Sequence, residues 1–150
     1  MEATAWHLAQ LNVGVVLAPV DDELMSGFVE GLDPINAIAD SAPGFVWRLQ
    51  DDSGAATSFR ITDDDRLLVN MSTWASAEAL HDFVFRTEHT DYLRRRREWF
   101  EVPTQPTTVL WWVPAGHQPS LDEAADRLAT LRANGPTPEA FTLRDQFPPQ

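Results

Sequence analysis

One stretch of the chain alternates apolar and polar side chains in a way that suits a ligand-binding surface. Residues 66–74 (RLLVNMSTW) predict a strand, whose consecutive side chains point to opposite faces. Leu67, Val69 and Met71 share one face, whereas the other carries Asn70, Ser72 and Trp74 beside Leu68. An amide, a hydroxyl and an indole on an apolar lining are typical of a small-molecule pocket. The alternative is that Asn70 and Ser72 only satisfy neighbouring backbone groups.

The four histidines offer a general base and, less directly, metal ligands. His89 lies near the helix end that approaches the Trp74 end of the strand, so we predict that it is the general base. A metal site of His7, His89 and His117 is conceivable, since His7 starts the first strand and His117 follows the last. No HxH or HxxxH spacing indicates such a site. We therefore predict no bound metal.

The basic residues are all arginine, and four of them are consecutive. Arg94–Arg97 falls in a predicted helix, where successive side chains point about 100° apart, so only part of the run can face a site. Asp91 and Glu98 stand at helical spacing from it, and a solvated, salt-bridged helix surface is the alternative. Arg48, alone on its strand, is the better isolated candidate for contact with an anion.

Six tryptophans in 150 residues suit a pocket for a flat aromatic ligand, because an indole offers a broad apolar face and one N–H. Trp111 and Trp112 are adjacent on a predicted strand and must face opposite sides of the sheet. Core packing is the simpler explanation for most of these side chains. The residues that we expect to bind the substrate are Trp47, Ser72, Trp112 and His117.

Composition excludes several classes of function. The net charge is −12, with 23 acidic and 11 basic residues, which argues against nucleic acid or an anionic membrane as a partner. Without cysteine there is no disulfide, thiol nucleophile or thiolate metal site. The start of the chain lacks the pattern of a signal peptide, and apolar runs such as 13–18 are too short to cross a bilayer. We expect a cytoplasmic protein.

The elements that position these residues follow from periodicity and caps. Strands are predicted at 7–16, 45–50, 66–74 and 107–113, with a short edge strand at 59–61. Helices are predicted from about residue 24 to the Pro43–Gly44 stop, then at 76–84, 89–100 and 120–134. Pro34 predicts a kink or a division of the first helix, with Asp33 as a new N-cap. Ser120 opens a capping box, and Gly135 ends the last helix.

The order β-α-β-β-α-β with an appended helix predicts an α+β, ferredoxin-like domain at 1–136, followed by a surface tail at 137–150. Two helices would pack on one face of a four-stranded antiparallel sheet. The other face needs a cover. We predict a homodimer in which two sheets pack together. The alternative is a monomer whose C-terminal helix covers that face.

Residues 70–74 and 76–80, followed by His89, resemble the antibiotic biosynthesis monooxygenase group of the dimeric α/β-barrel superfamily. That group typically has a strand ending in tryptophan, a Ser-x-Glu-Ala-Leu helix start and a histidine near the helix end. Over nearly its whole length the chain resembles more closely the family named domain of unknown function 3291. The motifs that carry this second resemblance are HLAQLN at 7–12, PGFVWRL at 43–49, LRRRREWF at 93–100 and WWVPAGH at 111–117.

The first resemblance implies a site as well as a dimeric α/β-barrel fold. Cofactor-free monooxygenases of that group act on anthrone-like polyphenols, with an asparagine and a tryptophan on one strand and an arginine on the next helix. Asn70 and Trp74 match the strand pair, and Arg94 is the third member that the resemblance suggests. The two strand residues would hold a phenolate or carbonyl oxygen, and the arginine would stabilise the anion. A tyrosine of such pockets has no counterpart here, since Leu80 stands in the early helix.

These observations predict a small enzyme that acts on an aromatic or polyketide-like molecule as a cofactor-independent monooxygenase. The catalytic residues would be Asn70, Trp74, His89 and Arg94. An alternative is a haem-binding or non-catalytic ligand-binding module, because haem-binding relatives use an axial histidine on this helix and His81 and His89 are available. Isomerase or cyclase chemistry could use the same parts.

Overall fold

Four strands and four helices make up the part of the chain that the computed structural model describes, residues 5–50 and 66–149. The strands are β1 Trp6–Val15, β2 Phe45–Arg48, β3 Leu67–Trp74 and β4 Thr108–Pro114. The helices are α1 Ser26–Ser41, α2 Ala77–Arg86, α3 His89–Arg94 and α4 Leu121–Asn134, with single 3-10 turns at Glu23–Met25 and Arg96–Glu98. None of these helices combines the length and the apolar character needed to span a bilayer.

The strands form one antiparallel sheet in the order β2-β3-β1-β4. This is the order of a split βαβ arrangement, so the ferredoxin-like α+β prediction is confirmed. Leu8 of β1 lies opposite Trp74 of β3 and Trp112 of β4, which defines the register of these three strands. The edge strand predicted at 59–61 lies outside the described residues.

The helix ends follow the predicted caps. Ser76 Oγ accepts a hydrogen bond from the backbone N–H of Ala79 at 3.1 Å, and Ser120 Oγ accepts one from Glu123 at the same distance. Gly135 follows α4 with a φ of 73°, a left-handed conformation that glycine adopts without strain. The sequence therefore predicted these helix starts and this stop correctly.

Two helical predictions were wrong in part. Helix α1 is continuous through the exposed Pro34, and Asp33 does not start a new helix, because a proline removes only one helical hydrogen bond while packing holds both sides. The helix predicted at 89–100 ends at Arg94. The following turn brings Trp99 into the core, where the side chain is 2% exposed.

One sheet face packs against α4. Ala124, Leu128 and Leu131 of this helix join a continuous apolar cluster that includes Leu11 and Trp111 of the sheet. This is the arrangement that the sequence offered as the alternative to a sheet-to-sheet dimer. The homodimer itself stays a prediction, which light scattering at micromolar concentration would test.

The other sheet face, which we call the helix face, packs against α1, α2 and α3 through two separate apolar clusters. We call the face under α4 the α4 face. The Trp74 cluster comprises Leu8, Ala39, Trp74, Leu80, Leu110 and Phe141. The Trp99 cluster comprises Val16, Met25, Leu68 and Trp99. The stretch of sheet between the two clusters carries polar side chains, which form the candidate site.

The chain after α4 is not the surface tail that the sequence indicated. The backbone N–H of Leu110 donates to the carbonyl of Phe141 at 2.8 Å, and the reverse hydrogen bond is 2.9 Å. Ala140 and Phe141 are fully buried. The segment therefore covers the edge of β4, because an uncovered strand edge leaves backbone groups unpaired and Phe141 gains an apolar environment.

Candidate functional site

Three polar side chains lie side by side on the helix face of the sheet, the face covered by α1, α2 and α3. They lie between the Trp74 cluster and the Trp99 cluster. Gln10 of β1 is directly opposite Ser72 of β3, and Asn70 is two residues before Ser72 on the same face. We refer to Gln10, Asn70 and Ser72 as the polar strip. The strand alternation that predicted Asn70 and Ser72 on one face is confirmed.

Hydrogen bonds within the polar strip fix which atoms remain for a ligand. Gln10 Nε2 donates to Asn70 Oδ1 at 2.7 Å and to Ser72 Oγ at 2.9 Å. Because the Asn70 carbonyl oxygen points to Gln10, the Asn70 amide nitrogen is left as a donor with no partner among the described residues. These side chains therefore bond to each other and do more than satisfy backbone groups.

The polar strip is buried at one end and open at the other. Ser72 is 6% exposed and Gln10 is 7% exposed, whereas Asn70 is exposed. Solvent therefore reaches Asn70, while Ser72 and Gln10 are almost wholly covered by the protein.

Trp74 lies below this surface and not on it. Its ring is 1% exposed, stacks on Phe83 at 5.2 Å between centroids and meets Phe45 edge-on at 5.4 Å. Its indole N–H donates to Ser72 Oγ at 2.8 Å. The resemblance implied that Trp74 donates to a ligand oxygen, but the structure uses that N–H inside the protein.

His89 sits beyond Phe83 in the same row of aromatic rings, with 5.0 Å between the two ring centroids. Burial lowers the pKa of His89 from its ordinary value, and a contact of 3.2 Å between Nδ1 and the Val84 carbonyl opposes that shift in part. The imidazole is therefore neutral near pH 7. Because Nδ1 must donate to the carbonyl, Nε2 carries the free lone pair of a general base.

Arg94 is not brought to the polar strip. Its side chain is largely exposed and lies 3.5 Å from the carboxylate of Asp91, three residues earlier. The neighbouring Arg95 bonds to Glu98 at 2.9 Å and covers the Trp99 ring at 4.7 Å. Arg94 and Arg95 thus belong to a salt-bridged helix surface, which the sequence offered as the alternative.

Arg48 lies much nearer to the polar strip, because it pairs directly with Ser72 across β2 and β3. Its guanidinium donates twice to Asp40 of α1, from Nε at 2.7 Å and from Nη2 at 3.2 Å. The Arg48 side chain is 11% exposed. This ion pair joins the end of α1 to the sheet beside the site.

The other predicted ligand contacts lie elsewhere. Trp47 packs against the cluster under α4, on the opposite side of the sheet from Asn70. Trp112 shares the face of Trp74, but its N–H donates to the Phe147 carbonyl at 2.7 Å at the β4 edge. His117 Nε2 lies 2.8 Å from Glu123 Oε1 at the start of α4.

Glu123 anchors the α4 side of the sheet. Its Oε2 accepts a hydrogen bond from the Trp111 indole at 2.9 Å, while Oε1 contacts His117. Burial acts to raise the pKa of Glu123, but the hydrogen bonds from His117 and Trp111 outweigh it, so the pKa is lowered overall. The carboxylate is a structural acceptor for a buried tryptophan.

Neither the metal nor the haem alternative gains support from the contacts. Within residues 5–50 and 66–149, no three side chains of suitable type are grouped to hold a metal ion. His81 is exposed on α2, where it contacts Asp82 and the ring of Phe85. His89 packs on Phe83, and no described contact joins either histidine to the polar strip.

Gln10 is the site residue that sequence reasoning missed. A signal was present, because Gln10 and Asn12 alternate with apolar residues in HLAQLN at 7–12 and so share one strand face. That face becomes informative only when β1 is known to pair with β3 in the register that sets Gln10 against Ser72.

Comparisons with known proteins give one family and several solved structures that are similar to the chain. A family model described as Domain of unknown function (DUF3291) matches residues 7–150. No curated protein matches the chain. Among solved structures, the chain is similar to a variant of SnoaB, a cofactor-independent oxygenase from Streptomyces nogalater. The two share 16% identity over 75% of this chain and 95% of that chain, with a TM-score of 0.48. It is also similar to Rv0793 from Mycobacterium tuberculosis, with 14% identity, coverage of 76% and 99%, and a TM-score of 0.48.

Proposed function

The chain belongs to the family described as Domain of unknown function (DUF3291), and from the polar strip we propose that it is an enzyme that binds a small, flat aromatic or polyketide-like molecule. The observation that carries this proposal is the exposed Asn70 amide, which Gln10 holds in one orientation beside the buried Ser72. A donor held in one orientation at the edge of an apolar sheet face suits an oxygen on a flat ring.

The reaction that we propose is oxygenation without a cofactor. An anthrone-type substrate takes up one O₂, its ring methylene becomes a carbonyl, and the second oxygen atom leaves as water. The Asn70 amide donates to the substrate oxygen on which negative charge develops as the methylene loses a proton. Such a donor stabilises the anion more than the neutral substrate, and this difference accelerates the reaction.

His89 is the base in this proposal. Its neutral imidazole and its free Nε2 lone pair lie beyond the Phe83 ring, in the row of rings that includes Trp74. In this proposal a substrate bound at Asn70 extends to His89 and passes a proton to Nε2. Arg94 has no part in it, because its guanidinium is exposed and paired with Asp91.

Oxygen consumption tests the proposal. The protein is mixed with a dihydroxyanthrone without added metal or cofactor, and the rate of spontaneous oxidation is subtracted. We expect Asn70→Ala to lower kcat/KM by about tenfold or more, since one donor to a developing oxyanion is lost. Asn134→Ala, the same change at the exposed end of α4, is the matched control and should leave the rate unchanged.

Two results would overturn this reaction. The first is an oxygen uptake no faster than the spontaneous rate. The second is a catalysed rate that Asn70→Ala leaves unchanged. Isomerase or cyclase chemistry would become the better account if the molecule binds at Asn70 but no oxygen is consumed.

A further inference from the structure

We propose that Ser72 is the second ligand-binding group of the polar strip, and that Gln10 and Trp74 are the residues that position its hydroxyl. This inference rests on the proposed function, because it takes the polar strip to be a ligand site. It assigns Gln10 a role, and it changes the role of Trp74 from ligand contact to positioning residue.

The hydrogen bonds around Ser72 determine the direction of its proton. A serine hydroxyl has two lone pairs and one O–H. Gln10 Nε2 donates to Ser72 Oγ at 2.9 Å and Trp74 Nε1 donates to the same atom at 2.8 Å. With both lone pairs occupied, the hydroxyl can act only as a donor in any further hydrogen bond.

That remaining donor has no acceptor among the described residues, although the side chain is more than nine-tenths buried. Buried polar groups are normally hydrogen-bonded, because an unmet donor loses its water without compensation. A group left in this state is therefore suited to an acceptor that arrives from outside, such as a carbonyl or phenolate oxygen.

Ser72 and Asn70 can act on the same molecule. Gln10 Nε2 bonds to both of their side chains, so the two donors are held within the reach of one small ligand. The two residues also point to the same sheet face, two positions apart on β3. Asn70 would bind the oxygen nearer to solvent, and Ser72 the oxygen nearer to Trp74.

The role of the Trp74 N–H is distinguishable from the role of its ring. Trp74→Phe removes the N–H and keeps an aromatic ring between Phe45 and Phe83. Trp111→Phe is the matched control, since Trp111 is equally buried and donates to Glu123 on the opposite sheet face. Both changes cost one indole hydrogen bond, but only the first frees a lone pair of Ser72.

A double-mutant cycle tests the inference. Titration calorimetry with a dihydroxyanthraquinone as the probe measures the dissociation constant of the wild type, Ser72→Ala, Trp74→Phe and the double variant. We expect Ser72→Ala to weaken binding about fivefold, the effect of one hydrogen bond. Trp74→Phe should weaken binding in the wild type and have no further effect when Ser72 is already alanine. Trp111→Phe should bind like the wild type.

If Trp74→Phe weakens binding equally in the wild type and in Ser72→Ala, the positioning role is overturned, because the tryptophan would then act through packing alone. Normal binding by Ser72→Ala would overturn the ligand role of Ser72. The indole N–H signals in a ¹H–¹⁵N spectrum give a reading without any ligand: the signal lost in Trp74→Phe should move in Ser72→Ala and Gln10→Leu. A signal that stays in place would contradict the hydrogen-bonded arrangement.

The same experiment separates this inference from the proposed function. If the wild type binds no probe, or if Asn70→Ala does not weaken binding, the proposed function fails and the ligand role of Ser72 fails with it. If Asn70→Ala weakens binding but Ser72→Ala does not, the proposed function stands and only this inference is overturned.

Discussion

Two buried tryptophans, Trp74 and Trp111, mark the two faces of the sheet and show how differently those faces are built. Trp111 lies under α4 in a continuous apolar layer, and its N–H ends on the carboxylate of Glu123. Trp74 lies under α2, and its N–H ends on the hydroxyl of Ser72, which keeps an unused donor. The α4 face is one continuous apolar layer, whereas on the helix face the polar strip separates two apolar clusters.

The largest expected effect is on the α4 face. Leu128→Ala removes a side chain that is 3% exposed and leaves a cavity between α4 and the sheet. We expect it to lower the free energy of unfolding by about 2–5 kcal/mol. Ser72→Ala, on the helix face, should lower it by a smaller amount, about 1–2 kcal/mol, because it leaves the Trp74 N–H and one Gln10 N–H without their acceptor. Urea denaturation measures both values.

The reverse order of these two losses in unfolding free energy would contradict the comparison of the two faces. A small loss on Leu128→Ala would mean that α4 is a loosely held addition. A loss of stability on Ser72→Ala larger than that on Leu128→Ala would mean that the polar strip is mainly a structural network.

The sequence predicted which β3 residues share the helix face, but it did not predict the hydrogen bonds that these residues make. Asn70 and Ser72 followed from strand alternation, which needs no tertiary information. Trp47, which was predicted to bind the substrate with Ser72, lies on the opposite sheet face, because β2 has a register shift between Phe45 and Trp47. A shift of one residue moves a side chain to the other face, and local sequence does not report it.

Arg94 shows a second limit of the same kind. Whether an arginine of a helix points to the sheet or to solvent depends on how the helix packs, which local sequence does not specify, and the predicted helix at 89–100 ends at Arg94. Beyond this end, Trp99 is buried among residues distant in the sequence, which is a tertiary contact. The acceptor of the Trp74 N–H could not be predicted either, because it depends on rotamers that the sequence does not specify.

A smaller effect is expected from His89 on the helix face. Burial lowers its pKa in the folded state, so the unfolded chain binds more protons as the pH falls below the ordinary histidine value of 6.5. Stability should therefore decrease from that pH downward through the folded pKa, by at most about 1.4 kcal/mol per pH unit for this one group. Melting temperatures measured between pH 8 and 5 should decrease less in His89→Gln.

His81→Gln is the control for this pH dependence, because His81 is exposed on the neighbouring α2. It should keep the wild-type profile. An unchanged profile in His89→Gln would show that the imidazole is not held neutral, and it would remove the case for His89 as a base.

The smallest effect is expected from Glu123 on the α4 face. Its pKa is lowered in the folded state, so its contribution is present above the ordinary carboxyl value of 4.5 and lost as the pH falls through the folded pKa. Because the carboxylate is partly exposed, we expect this contribution to the free energy of unfolding to be less than about 1 kcal/mol. Glu123→Gln should flatten the acid side of the stability profile and leave probe binding unchanged. An effect on binding would contradict the separation of the two faces.

The most direct test of the account is the affinity of the folded protein for a dihydroxyanthraquinone, measured by titration calorimetry for the wild type, Asn70→Ala and Asn134→Ala. If the polar strip of the helix face is the ligand site, Asn70→Ala weakens binding about fivefold or more, while Asn134→Ala and the unfolding free energies stay unchanged. Equal affinities for all three proteins would contradict the account.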